Sequence, residues 1–155
     1  MTAFSRRSGP RILAVGEVLW DLLPEGPQLG GAPANFAVHA HALGGNAALI
    51  SRIGDDALGA EILKRFREAG LPTELIQREE VHDTGTVHVE LSPTGQPRYH
   101  IIGDVAWDHI GATDRVLEAA ASAAVICFGT LAQRTTPARD AIQTIVRTTP
   151  ETAWR

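Results

Sequence analysis

The stretch that decides the fold is "QLGGAPANFAVHAHALGG", Gln28–Gly45. A Gly-Gly pair leads through Pro33 and Asn35 into an alanine-rich run, and a second Gly-Gly pair closes it. The spacing predicts a helix from about Ala34 to Leu43, stopped by Gly44 and Gly45. Glycines at the mouth of a helix have three readings. They can form a tight turn, with Asn35 capping the helix. They can belong to a nucleotide-phosphate loop. They can let a small polar ligand lie against bare backbone. The second reading fails, because the sequence has no G-x-G-x-x-G and its single lysine, Lys64, lies outside any G-K-[ST] motif. The first and third stand side by side. For the third, Asn35 offers a donor and an acceptor and Asp21 two acceptor oxygens, a combination suited to a polyhydroxylated molecule.

Outward from this stretch, short apolar runs alternate with helical patterns. "RILAVG" (Arg11–Gly16), "AALISRIG" (Ala47–Gly54), "TELI" (Thr73–Ile76) and "AAVICFG" (Ala123–Gly129) read as strands. Between them, Asp55 or Asp56 can cap a helix whose inner face is Leu58, Ile62, Leu63 and Phe66, ended by Gly70 and Pro72. Thr113 can cap "DRVLEAAASA", and Thr136-Pro137 opens a last helix with Ile142, Ile145 and Val146 facing inward. This alternation predicts an α/β layer fold with a mainly parallel sheet. "LLPEGPQLGG" reads as a turn-rich or hairpin connection. "TGTVHVELSPTGQPRYHII" (Thr84–Ile102) alternates apolar and polar residues on both sides of a turn, which predicts a β-hairpin outside the buried sheet. Ligands of such sheets bind beyond the carboxyl ends of the strands, where "AVGEVLWD" puts Glu17 and Asp21.

The bulk properties exclude several classes. With 155 residues and 44% hydrophobic content, the chain can bury one sizeable core. A net charge of −4, with basic residues dispersed, gives no reason to expect nucleic acid or a membrane surface as partner. Residues 1–10 read as a flexible lead-in, and "ILAVGEVLWDLL" is interrupted by Glu17 and Asp21, so no run approaches the ~18 apolar residues of a span. A cytoplasmic protein is the expectation. Cys127, the single cysteine, cannot form an internal disulfide and reads as a buried, inert thiol.

The run Gly30-Gly31-Ala32-Pro33-Ala34-Asn35-Phe36-Ala37, followed by Gly44 and Gly54, resembles the N-terminal signature of the ribokinase/fructokinase (PfkB-type) carbohydrate kinase family. "VGEVLWDLLP" before it, "RIGDDALGAEILKRFREAG" after it and "TGTVHVELSPTGQPRY" in the place of the family's sugar-covering lid extend the resemblance from about Arg11 to Arg155. "VAWDHI" and "FGTLAQR" resemble the bacterial fructokinase branch. The resemblance implies the N-terminal portion of a ribokinase-like three-layer (Rossmann-like) sandwich over residues 11–155, with lid segments at about 20–30 and 84–102. It implies ATP-dependent phosphorylation of a sugar hydroxyl as the parent activity. Asp21, Gly31 and Asn35 would contact the sugar. Trp107 would stack on the sugar's apolar face or support the lid, with packing in the core or against the lid as the alternative. ATP and magnesium are the expected cofactors of the intact family, and a homodimer through the lid occurs in relatives.

The family's phosphoryl-acceptor base is an aspartate in a Gly-Ala-Gly-Asp motif, and no such motif occurs here. No ATP-binding or magnesium-binding segment is identified, so the C-terminal catalytic part is expected to be absent and the chain inactive alone. The alternatives are a non-catalytic sugar-binding or regulatory module, or a truncated product. An unfinished sheet edge is expected where further strands would pair. The histidines give no metal site by spacing. His39 and His41 point to different faces of a helix, and His88 and His100 oppose each other on the hairpin without a third ligand. No G-x-S-x-G elbow is present for a hydrolase.

Overall fold

The computed structural model describes residues 8–92 and 96–155. Most of the expected lead-in and the tip of the 84–102 hairpin, Pro93 to Gly95, lie outside the described residues. The core is a four-stranded parallel sheet of β1 (Arg11–Val15), β4 (Asn46–Gly54), β5 (Ile76–Glu79) and β8 (Ala123–Phe128), in the order β5-β4-β1-β8. The apolar runs of β1 and β4 are continuous because these strands are covered on both faces. Leu13, Val15, Ala48 and Ile50 point into one core and Ala14, Leu49 and Ile53 into the other, as the two-residue period of a strand requires.

Four helices cover the sheet. On one face lie α1 (Ala32–Ala42) and α2 (Ala57–Glu68), which contribute Ala34, Ala37, Ile62, Leu63 and Phe66. On the other lie α3 (Asp114–Ala121) and α4 (Thr136–Thr148), with Val116, Ala119, Ala120, Ile142 and Ile145. The result is the expected three-layer α/β arrangement. A second sheet stands beside it, in the order β3-β2-β6-β7. It joins the hairpin of β2 (Leu19–Leu23) and β3 (Gly26–Gly30) to the hairpin of β6 (Thr86–Leu91) and β7 (Pro97–Ile101). Val87 and Val89 are buried with Leu19, while His88 and Glu90 face out, so the alternation was a half-buried strand.

Several local expectations need correction. Helix α1 begins at Ala32, two residues early, because Pro33 suits the first helical turn and Gly31 takes the cap position. Asn35 lies inside the helix, its backbone N–H bonded to the Gly31 carbonyl at 2.9 Å, so it does not cap. "TELI" is a turn closed by Ile76 N–H to the Thr73 carbonyl, and β5 starts where that turn ends. The reason is register, since β5 pairs only with the far half of β4, Ser51 to Gly54. Thr113 occupies the cap position of α3 without a side-chain bond, and the acidic Asp114 faces the helix dipole instead. Of the two aspartates, Asp56 caps α2, accepting from Gly59 N–H at 2.7 Å.

β8 is the edge of the core sheet, and only the C-terminal residues begin to cover it. Trp154 pairs in parallel with Val125 through Ile126 N–H to Trp154 O at 2.8 Å and Trp154 N–H to Ala124 O at 3.0 Å. Phe128 and Trp154 are exposed there. Cys127 is half-buried on this strand rather than deep in the core, and burial raises its thiol pKa with help from the nearby Glu17 carboxylate.

Candidate functional site

The site begins where β1 ends. Glu17 follows that end, and its side chain turns under the N-terminus of α1, where Oε1 accepts from Ala32 N–H at 3.3 Å. Gly31 makes the approach sterically feasible. Its φ is 105°, and a β-carbon there would stand 2.5 Å from the Glu17 carbonyl oxygen. Gly31 therefore has a structural role: glycine is needed so that the helix mouth can close onto the strand end.

Asp21 lies one strand further on. The sequence placed it beyond a core strand, but it sits in β2 of the second sheet, with its carboxylate in the space that a β-carbon on Gly30 would fill. Asp21, Glu17, Gly31 and Ala32 line a cavity of about 200 Å³, roofed by Val87, Tyr99 and Ile101 of the second sheet. Burial raises the pKa of both carboxyl groups; at Glu17 backbone hydrogen bonds oppose part of that rise. Among the described residues, none of those lining the cavity is cationic. Two acceptor groups without a positive partner suit neutral hydroxyl donors and disfavour a polyphosphate.

The other sequence candidates separate. Asn35 is exposed on α1, one turn beyond Gly31, and does not line this cavity. Trp107 is fully buried in the core, in a 3-10 turn (Ala106–His109), so sugar stacking by its ring is excluded in this conformation. Its indole lies against Gly85, just before β6, and supports the root of the hairpin. The aromatic ring that does line the cavity is Tyr99, which the sequence reading missed; its signal was its place in the alternation, opposite Val89 and on the same face as Val87 and Ile101.

"VAWDHI" and "FGTLAQR" come together behind this site. Arg134 holds the fully buried Asp108 carboxylate through Nε at 2.7 Å and Nη2 at 2.6 Å. Its guanidinium lies 4.0 Å from the Trp107 ring centre. Asp56 has a matching role at the hairpin's entry, where its carboxylate accepts from Thr84 N–H at 2.7 Å and Thr84 Oγ1–H at 2.8 Å. Burial alone would raise the Asp56 pKa, but these bonds and the one from Gly59 hold it below the usual carboxylate value. Asp55 forms an ion pair with Arg78.

Among the histidines, His39 is exposed and His41 buried, and His88 opposes His100 across the hairpin. Among the described residues, His82, Asp104 and His109 gather instead, a group that no sequence spacing announces. A larger cavity, about 420 Å³, lies beside them between Asp56, Thr84, Ile102 and Asp104. It contains none of Asp21, Gly31 or Asn35, so the smaller cavity is the candidate site. No helix among the described residues is long and apolar enough to cross a membrane.

Comparison with known proteins places the chain in a family. Residues 27–148 match the pfkB family carbohydrate kinase domain. The chain is 37% identical over 91 residues to the fructokinase of Escherichia coli, covering 56% of this chain and 30% of that one. It is 29% identical over 147 residues to a putative sugar kinase of Pyrococcus horikoshii, covering 88% of this chain and 47% of that one. The crystal structure of that sugar kinase in complex with ATP superposes with a TM-score of 0.82 at 27% identity, over 92% of this chain and 50% of that one. A fructokinase of Vibrio cholerae shares the fold with a TM-score of 0.78 at 23% identity, over 95% of this chain and 52% of that one. The chain thus spans about half or less of the length of these relatives. The fold is ribokinase-like, and with most of its length inside the match the chain belongs to the pfkB family of carbohydrate kinases.

Proposed function

We propose that residues 11–155 are the sugar-binding part of an ATP-dependent sugar kinase of the fructokinase type, acting in the cytoplasm. The observation that carries this reading is the meeting of Asp21 and Gly31 in one cavity under the second sheet. At about 200 Å³ it is smaller than the ~300–1,000 Å³ of drug-sized pockets, in keeping with a single monosaccharide. In this reading the Asp21 carboxylate accepts from neighbouring sugar hydroxyls and Gly31 presents backbone. Asn35, at the outer end of the same helical turn, fixes the sugar's exposed side. The second sheet, including the segments at about 20–30 and 84–102, is the lid, and Val87, Tyr99 and Ile101 supply the apolar contact that keeps water from the acceptor hydroxyl.

ATP does not fit the same cavity, because two carboxylates and no cation face it. In this reading ATP, its magnesium and the base that deprotonates the sugar hydroxyl belong to the C-terminal part of the family's fold. The outer edge of β8, where Trp154 makes a single bridge and Phe128 and Trp154 are exposed, is the place where the sheet would continue toward them. β7 is exposed along its length at the other sheet's edge, which leaves room for a dimer through the lid.

The test is thermal unfolding against fructose. Ligand at ten times its dissociation constant stabilises the folded state by about 1.4 kcal/mol. Asp21→Asn should remove most of that stabilisation while the ligand-free protein keeps its melting temperature. Equal responses of the wild type and Asp21→Asn, or no response to fructose, ribose or any other sugar, would sink the reading.

A further inference from the structure

His82 lies between β5 and β6, and Asp104 and His109 follow β7. The three residues therefore flank the two crossings by which the chain enters and leaves the β6–β7 hairpin. Asp104 Oδ1 is 3.0 Å from His109 Nε2 and 3.5 Å from His82 Nε2. The imidazole rings stack at 3.6 Å between centres and 14° between planes, so both Nε2 atoms reach the same carboxylate oxygen.

The far side of His82 determines what this means. Its Nδ1 is 3.0 Å from Glu79 Oε1 at the end of β5, and Glu79 is itself 3.9 Å from the Arg52 guanidinium. A neutral imidazole that donates Nδ1–H to Glu79 keeps its lone pair on Nε2. That lone pair then faces an Asp104 carboxylate oxygen, acceptor against acceptor, at a distance that is repulsive unless a positive charge lies between them. Two nitrogens and a carboxylate oxygen on one point are a ligand set for a borderline divalent ion. In a tetrahedral zinc site with bonds of about 2.0–2.2 Å, neighbouring ligands are about 3.3–3.5 Å apart. The separations of 3.0 and 3.5 Å bracket that range. Glu79 completes the pattern as the outer carboxylate that orients a metal-bound histidine. Arg52 donates to the His109 carbonyl and so fixes that residue's backbone. The side chains are 20% (His82), 30% (His109) and 81% (Asp104) exposed, which gives the rings room to splay onto one ion and leaves a fourth position to water.

We propose that His82, Asp104 and His109 bind one divalent ion of the zinc type, clamping together the two roots of the β6–β7 hairpin. The site is separate from the Asp21 cavity and does not depend on the sugar reading. Its consequence is mechanical: the bound ion ties entry to exit and stiffens the sheet that roofs the cavity.

The experiment is calorimetric titration of the chelator-dialysed protein with zinc chloride near neutral pH, with cobalt(II) as a spectroscopic probe. The expected result is one equivalent of saturable binding, visible cobalt bands of a low-coordinate nitrogen and oxygen site, and a rise in melting temperature. His109→Ala and His82→Ala should each weaken zinc binding at least ~100-fold, and Glu79→Gln about 10-fold. His88→Ala should leave it unchanged. Urea unfolding without metal checks that each variant is folded, and the exposed Asp104→Asn carries the same prediction if a histidine variant fails that check. Absence of binding at millimolar zinc overturns the proposal and leaves a shared proton between His82 and Asp104. Binding that survives both histidine substitutions, or is lost with His88→Ala, overturns it equally.

Discussion

Arg134→Ala probes the contact that joins the hairpin's exit to the core. Arg134 meets the Asp108 carboxylate with two nitrogens at 2.7 and 2.6 Å, lies 4.0 Å from the Trp107 ring centre, and donates to the Ile102 carbonyl at 2.6 Å. Asp108 is fully buried, and after truncation its carboxylate would keep Val105 N–H, at 3.1 Å, as the remaining backbone donor described for it. Removing one partner of a buried pair costs about 3–5 kcal/mol, of which the cation–π contact is about 0.5–2. The Arg134 side chain is 27% exposed, so water can enter the space it leaves, and the lower end, about 3 kcal/mol, is expected. For a chain of this length that is about 6–12 °C in melting temperature. Urea unfolding followed by tryptophan fluorescence measures it, since two of the three tryptophans, Trp20 and Trp107, are buried in the folded chain. Arg134→Lys should fall between, since one ammonium cannot reproduce the two-pronged contact. Replacing both residues, Asp108→Asn with Arg134→Met, should recover part of the loss. A loss below about 1 kcal/mol for Arg134→Ala at unchanged m-value would refute the argument that a desolvated charge is at stake.

Asp56→Ala should cost about 2 kcal/mol at neutral pH, from a lost helix cap and the unpaired Thr84 donors. Because the folded pKa of Asp56 is lowered, its contribution is present above the ordinary value of 3.8 and disappears as pH falls through the folded value. Hydrogen exchange at the Gly59 and Thr84 amides reads this locally; unchanged protection in the variant would count against it. Glu17→Gln should behave in the opposite sense. Burial raises the Glu17 pKa, so the folded state holds that proton more tightly and loses stability as pH rises from the ordinary value of 4.5 through the folded value. The glutamine variant is therefore expected to be the more stable protein at neutral pH, with the gain vanishing in acid. A variant less stable than wild type at every pH would contradict it.

Much of this molecule could be read from local patterns. The unbroken apolar run of β1 follows from burial on both faces of its strand, while the helical face of Ile62, Leu63 and Phe66 and the alternation of Val87 and Val89 each follow from the period of one element against one core. The signature from Gly30 to Ala37 located the family and placed Asp21 and Gly31 near each other. Periodicity records which side of an element is buried, but not what lies opposite it. That is why β5 was misplaced by the register of β4, and why Trp107, aromatic and near the lid in sequence, turned out to be core. The pairing of Asp108 with Arg134 and the gathering of His82, Asp104 and His109 arise only when the crossovers bring distant segments together. The amino-acid sequence by itself determined the type and order of most elements and the family. The tertiary structure decided which charges face each other, because that depends on chain crossings that no local spacing encodes.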